Sequence, residues 1–261
     1  MELNLAGKTA VIAASSQGLG FSIAKQLVQE GTNVMISGRD EQKLVEKAKE
    51  LQSIGKGKVG YHQTDITNPK EIEELISKTV EAFGRIDILV NNAGGPPAGS
   101  FEDLNDEQWI SAFELNLLSY VRLIRAALPH LKEKGGKILN IASSSIKEPI
   151  PGLILSNTYR TGIIGLSKTL ASELAPYNIL INTIAPGRIA TDRVKHLDQV
   201  NAQKQNVERE VVEQQVKAGI PLKRYGTTEE FGNVATFLLS DANTYMTGSA
   251  FLVDGGMVKA I

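Results

Sequence analysis

The sequence predicts an α/β protein: a single-domain, doubly wound parallel sheet of about seven strands with helices on both faces. Three observations carry that expectation. Short apolar runs alternate with amphipathic segments of helical spacing along the chain. The first apolar run enters a glycine-rich turn that opens a helix. The 261 residues, 42% hydrophobic, suffice for one large α/β core, and no linker, repeat or low-complexity segment suggests a second domain within 1–261.

The turn is Ala13-Ala14-Ser15-Ser16-Gln17-Gly18-Leu19-Gly20, between a strand, Thr9 to Ala13, and a helix, Phe21 to Glu30, that stops at Gly31. Such a turn presents backbone N–H groups and the positive end of a helix dipole, a site for a pyrophosphate. Ser15, Ser16, Gly18, Leu19 and Gly20 are its candidate contacts. The spacing G-x-G-x-x-G is broken by Ile23, so the turn taken alone also fits an ordinary strand-to-helix connection.

Asn33 to Ser37 reads as a second buried strand ending in Gly38-Arg39-Asp40. A carboxylate at this corner bonds the adenosine ribose, whereas a basic residue accommodates a 2′-phosphate. Arg39 with no acid at Ser37 or Gly38 therefore predicts NADP(H) over NAD(H); Asp40 is the rival carboxylate, but it falls one step late and reads as the N-cap of a helix from Glu41 to Leu51. The strand Lys58 to Thr64, the turn at Asp65-Ile66 and the helix Pro69 to Phe83 follow. The run Ile86 to Val90 then ends in Asn91-Asn92-Ala93-Gly94. Three βα units in succession require parallel strands joined by crossovers, a Rossmann-like arrangement.

At this point the chain resembles the short-chain dehydrogenases/reductases. Asn91-Asn92-Ala93-Gly94 matches that family's strand-4 motif, and Asp65 falls where its adenine-contacting aspartate does. Gly18 and Gly20 fill two glycines of its T-G-x-x-x-G-x-G turn, with Ala13 and Ala14 replacing the threonine and first glycine. The resemblance implies that Asp65, Ile66, Asn92, Ala93 and Gly94 meet the cofactor. It also makes Asn116, within the helical region Asn105 to Lys132, an active-site asparagine on a helix irregularity. Ser143 after the strand Lys137 to Ala142 would orient a substrate carbonyl.

The family then carries Y-x-x-x-K. Aligned on Gly165-Leu166-Ser167-Lys168-Thr169-Leu170-Ala171, this chain has Ser156 at the tyrosine place and Arg160 at the lysine place. A serine is a far weaker acid than a phenol, and a guanidinium does not titrate in a proton relay. Two donors remain open: Ser156 with Ser143 passing a proton from water, or the Tyr159 phenol, since Ser156, Tyr159 and Arg160 share one helical side. Arg160 is also expected to bond ribose hydroxyls.

After the strand Ile179 to Ala185, the resemblance places Pro186, Gly187, Ile189 and Thr191 on the nicotinamide side and a substrate lid over 192–218. Helix Phe231 to Ser240 and a strand from Thr247 to Val253 complete the pattern. Asn157, His196 and the tip Gly95-Pro96-Pro97 are further pocket candidates.

The resemblance implies NADP(H)-dependent hydride transfer on a small carbonyl or alcohol, similar to a 3-oxoacyl thioester reductase, in a homotetramer or dimer. The alternative is a non-catalytic NADP(H)-binding protein with a regulatory or assembly role. A net charge of −1 argues against nucleic acid. Without cysteine there is no thiol nucleophile or thiolate metal site, and His62, His130 and His196 lack metal-ligand spacing. No leader-like N-terminus or membrane-length apolar run stands in the sequence, so a cytoplasmic protein is expected.

Overall fold

The central strands form where the sequence is buried on both faces. In the computed structural model, which describes residues 2–260, the chain begins with β1 (Thr9–Ile12), α1 (Gly18–Gln29), β2 (Asn33–Gly38) and α2 (Glu41–Ile54). It continues through β3 (Val59–Gln63), α3 (Pro69–Phe83), β4 (Ile88–Asn91), α4 (Asp106–Phe113) and α5 (Ser119–Lys134). The second half holds β5 (Gly136–Ile141), α6 (Ile154–Leu174), β6 (Ile179–Pro186), α7 (Asp192–Gln205), α8 (Arg209–Gly219), α9 (Thr228–Leu239) and β7 (Ala250–Val253). All pairings are parallel, in a seven-stranded sheet of order β3-β2-β1-β4-β5-β6-β7. The order reverses between β1 and β4, which opens a crevice beyond their carboxyl ends.

Alternation along each strand divides the core into two layers. Ile12, Val34, Ile36, Ile88 and Val90 pack with Ile23, Leu27, Leu44 and Phe231 from α1, α2 and α9. Val11, Met35 and Leu89 face Leu75, Tyr120, Leu123 and Ile163 from α3, α5 and α6. Burying a side chain such as Leu27 contributes about 1.5–3 kcal/mol.

Local chemistry sets the helix boundaries. Asp40 accepts from Lys43 N as the N-cap of α2, and capping boxes at Asn105/Gln108 and Thr227/Glu230 start α4 and α9. Several boundaries differ from expectation. Helix α1 begins at Gly18 because the turn glycines themselves enter the helix. The region 105–132, by contrast, carries an irregularity where the resemblance implied one, a π-helical stretch, Glu114–Leu118, centred on Asn116. The fourth strand starts at Ile88, since Asp87 uses its carboxylate to accept from Thr9 N. The last strand begins only at Ala250, after Gly248 adopts a left-handed φ of 67°.

Candidate functional site

The glycine turn is held from the side. Asn92 Nδ2 donates to Ala14 O at 2.9 Å and to Ala13 O at 3.3 Å, fixing the turn to the end of β4. Gly20 leaves room for that amide: a Cβ there would stand 2.7 Å from Asn92 Nδ2. Ser15 spends its hydroxyl on Ile12 O at 2.7 Å and accepts from Ser37 N, tying β1 to β2. Ser16 Oγ lies beside Gly38. Gly18 has a φ of +60°, and a Cβ on it would reach to 4.0 Å from Thr191 Cγ2 across the crevice. A cavity of about 500 Å³ opens here, lined by Gly18, Phe21, Thr191, Asp192 and Lys195 among others. Leu19 follows in the first turn of α1.

Arg39 is exposed at the end of β2 with Gln63 Nε2 donating to its backbone carbonyl. Its guanidinium enters no ion pair among the described residues, and the neighbouring Asp40 is occupied as a cap. Asp65 uses its carboxylate within its own turn, accepting from Thr67 N and Oγ1 at 2.9 and 2.8 Å, while Ile66 is buried. On the opposite side, Gly187 packs so closely on Asp254 that a Cβ would stand 2.6 Å from the aspartate Cβ. Its neighbour Pro186 ends β6. Ile189 is buried, and Thr191 caps α7 by accepting from Val194 N.

The β4 exit and the β5 exit leave the sheet side by side, because Asn91 pairs with Asn140. Ser143 follows β5 and accepts from Ser145 N at 3.2 Å, which leaves its own hydrogen available to donate. Asn116 is fully buried; its Nδ2 donates to Gly94 O at 2.7 Å and its Oδ1 has no partner among the described residues. The π-helical stretch turns that side chain inward, as such irregularities do at functional positions.

Arg160 is 5% exposed and forms no ion pair among the described residues. Its Nη1 donates to Ile141 O at 2.5 Å and to Tyr120 Oη at 3.1 Å, and its Nη2 to Ala93 O at 3.4 Å. Tyr120 Oη itself donates to Ile141 O at 2.9 Å, and burial pushes this phenol's pKa up against the lowering effect of Arg160. Ser156 stands one turn before Arg160, buried at 9% exposure, with no hydrogen-bond partner for its hydroxyl among the described residues.

Tyr159 does not share that environment. Its hydroxyl donates to Trp109 O at 3.0 Å, and its ring packs on Trp109 and Phe113 of α4, with centroids 5.9 Å away in each case. Of the two donors left open by the sequence, Ser156 is buried on α6 with Arg160, whereas the Tyr159 ring turns toward α4. Asn157 is likewise occupied, its amide exchanging two hydrogen bonds with the Ile150 backbone. His196 is exposed on α7.

A family model described as Enoyl-(Acyl carrier protein) reductase matches residues 13–258. The chain belongs to the short-chain dehydrogenase/reductase family. This short-chain dehydrogenase/reductase is 35% identical over 256 residues to a D-beta-hydroxybutyrate dehydrogenase of Rhizobium meliloti, covering 95% of this chain and 98% of that one. It is also 35% identical over 254 residues to the 3-oxoacyl-(acyl-carrier-protein) reductase FabG of Chlamydia muridarum, covering 97% and 98%. Among solved structures, L-sorbose reductase of Gluconobacter frateurii, complexed with NADPH and L-sorbose, superposes with a TM-score of 0.95 at 32% identity over the whole of both chains. YwfH, an NADPH-dependent reductase of bacilysin biosynthesis, gives a TM-score of 0.92 at 29% identity, over 97% and 99%.

Two residues of this short-chain dehydrogenase/reductase escaped the sequence reading. Tyr120 carried the signal only of an aromatic on an apolar helix face. Arg193, on α7, donates from Nη2 to Pro96 O at 3.0 Å, a contact across 97 positions that no local pattern announces.

Proposed function

We propose that the protein is an NADP(H)-dependent oxidoreductase interconverting a carbonyl and an alcohol, similar in activity to the 3-oxoacyl reductases. The observation that supports this reading is the arrangement at the carboxyl ends of the strands: Asn92 holds the glycine turn, Gly18 faces Thr191, Asn116 bonds the β4 exit, and Ser143 follows the neighbouring β5. The residues present fit a dinucleotide, since Gly18 and Thr191 leave a cradle that a side chain at Gly18 would fill. The turn from Ser15 to Gly20 would hold the pyrophosphate, Asp65 and Ile66 would border the adenine, and Arg39 would take the 2′-phosphate. Asn92, Ala93, Gly94, Pro186, Gly187, Ile189 and Thr191 would flank the nicotinamide half. When bound, NADPH supplies the hydride.

The chain's own contribution is orientation and charge. Ser143 and Ser156 donate hydrogen bonds to the substrate oxygen and pass a proton to it from water. Buried Arg160 stabilises negative charge on that oxygen through space, a role that does not need it to titrate. Asn116 offers Oδ1 as an acceptor for a proton relay, and Tyr159 is structural. Helices α7 and α8 form the substrate lid. The exposed Phe101, Ile110 and Phe113 support a homo-oligomer, because single chains rarely leave such side chains clustered in water.

The test is twofold. Titrating NADP and NAD against the wild type and Arg39→Ala is expected to show NADP preferred through a charge-assisted contact of roughly 1.5–3 kcal/mol, lost in the variant. Equal affinities in the wild type would refute the assignment. Following NADPH absorbance with ketones, quinones and oxoacyl thioesters, turnover is expected to fall in Ser156→Ala and Arg160→Ala and to persist in Tyr159→Phe. A second reading, a non-catalytic NADP(H)-binding protein in regulation or assembly, is favoured by one observation: Arg160 spends both Nη groups on the protein itself. Cofactor binding without turnover on the whole panel would select it.

A further inference from the structure

A row of polar side chains crosses the sheet beneath α6. Asn91 of β4, Asn140 of β5 and Thr183 of β6 are neighbours in register, Asn91 beside Asn140 and Asn140 beside Thr183, and none is more than 1% exposed. On the same sheet face, one step earlier along each strand, stand the apolar Leu89, Ile138 and Ile181. Ser167 of α6, 2% exposed, closes over the row. Asn91 Nδ2 donates to Asn140 Oδ1 at 2.7 Å, and Asn140 Nδ2 donates to Ser167 Oγ at 2.9 Å. The single hydroxyl hydrogen of Ser167 goes to Ile163 O at 2.7 Å, so Thr183 is the donor in its 3.0 Å contact with Ser167 Oγ. Asn91 Oδ1, at the far end, has no partner among the described residues. Apolar packing is non-directional and lets a helix turn about its own axis, whereas bonds from two strands onto one oxygen admit a single setting.

We infer that Ser167, held by Asn140 and Thr183, is a positioning residue that sets the rotation of α6 and, through it, the placement of Ser156 and Arg160. The inference rests on the oxidoreductase reading above and adds a residue that touches no reacting atom. Ser156, Arg160, Ile163 and Ser167 are all buried on one side of α6. At 3.6 residues per turn, Ser167 follows Arg160 by about two turns and Ser156 by about three, within roughly 20° of the azimuth of each. A rotation at Ser167 therefore reaches both site residues undiminished. Turning the helix by about 20° moves side-chain atoms at a radius of about 5–6 Å by roughly 2 Å. A misplacement of about 1 Å is enough to cost on the order of a hundredfold in rate. Apolar residues of the same shape would fill the same space at similar stability, so what the polar row supplies is orientation.

The experiment compares the wild type with Ser167→Ala, Ser167→Thr and the apolar set Asn91→Leu/Asn140→Leu/Ser167→Ala/Thr183→Val. Crystal structures superposed on the sheet measure the rotation of α6, thermal unfolding measures Tm, and NADPH absorbance with ketones, quinones and oxoacyl thioesters measures kcat and KM. The apolar set removes the unpartnered Asn91 Oδ1 along with the bonds, so its Tm is expected to hold or rise. In the same protein α6 is expected to rotate by about 10–20° and kcat to fall about tenfold or more at nearly constant KM. Ser167→Ala carries the same comparison if the apolar set does not fold, and Ser167→Thr, which keeps the hydroxyl, is expected to restore most of the rotation and of kcat. A merely structural role predicts a lower Tm with α6 in place and kcat intact. That result, or a rotated α6 with unchanged kcat, would overturn the inference. The two readings fail separately. A wild type that turns over nothing on the panel refutes the oxidoreductase reading while the rotation of α6 still decides this one, whereas an active enzyme whose α6 stays in place in every variant does the reverse.

Discussion

Ala14 carries the clearest energetic consequence of the turn. Its φ of +46° lies in the left-handed region, which costs a residue with a Cβ about 1–2 kcal/mol. The strain is held by Asn92 Nδ2, which donates to Ala14 O at 2.9 Å and to Ala13 O behind it. Replacing Ala14 with glycine relieves the strain but gives the unfolded chain more freedom, worth about 0.4–1 kcal/mol. The net expectation is that Ala14→Gly stabilises the protein by about 0.5–1 kcal/mol, a rise in Tm of roughly 1–4 °C for a chain of this size. Thermal unfolding followed by circular dichroism at matched pH and salt measures it. The Asn92→Ala change should also cost less in the glycine background than in the wild type, because less strain then depends on the amide. A fall in Tm on Ala14→Gly, or identical Asn92→Ala costs in both backgrounds, would refute the strain argument.

Other outcomes follow from single contacts. Gly20→Ala drives a methyl into Asn92 Nδ2 and the backbone of Ser15, 2.7 and 3.0 Å away, and is expected to cost about 1–3 kcal/mol by urea unfolding while weakening NADP binding. Tyr159→Phe loses one hydrogen bond to Trp109 O, about 0.5–1.5 kcal/mol of stability by the same measurement. Asp198 is 1% exposed and accepts from Arg188 Nη1 at 3.1 Å and Tyr225 Oη at 2.8 Å, so Asp198→Ala, stripping both partners, should destabilise by about 2–4 kcal/mol. Arg224, and then the Thr227 N–H, hold the Glu230 carboxyl down to about 2 from its ordinary 4.5. A depressed carboxylate stabilises fully above its unfolded pKa and loses that contribution as pH falls through the folded one. The Tm gap between wild type and Glu230→Gln should therefore be widest above about pH 5 and close as pH approaches 2.

What the sequence revealed divides along the reach of the forces involved. Strands such as Thr9–Ile12 and Ile88–Asn91 are buried along their whole length, and continuous apolar runs announce that condition directly. The cap at Asp40 and the helix start at Pro69 are equally local. Once the strand order follows, so does the crevice. The side-chain geometry within it depends on partners far along the chain. Arg160 turns under the site because Tyr120 and the Ile141 and Ala93 carbonyls offer acceptors there, and Tyr159 turns away because Trp109 and Phe113 form an aromatic pocket. Neither choice is encoded in the helix that carries both residues.

The segment Ala93-Gly94-Gly95-Pro96-Pro97 shows how those distant partners are recruited. Pro96 and Pro97 have no N–H, so this exit from β4 cannot be stitched to the sheet by a backbone ladder. Its carbonyls still require donors if they are to be held in place. Three side chains from three elements supply them: Arg160 of α6 to Ala93 O, Asn116 of the π-helical stretch to Gly94 O, and Arg193 of α7 to Pro96 O. The first two donors are buried in α6 and the π-helical stretch, whereas the third is solvent-accessible and joined by a single bond. The floor of the crevice is therefore fixed independently of α7, and the Arg193 contact is the polar tie that a displacement of the first turn of α7 would break there.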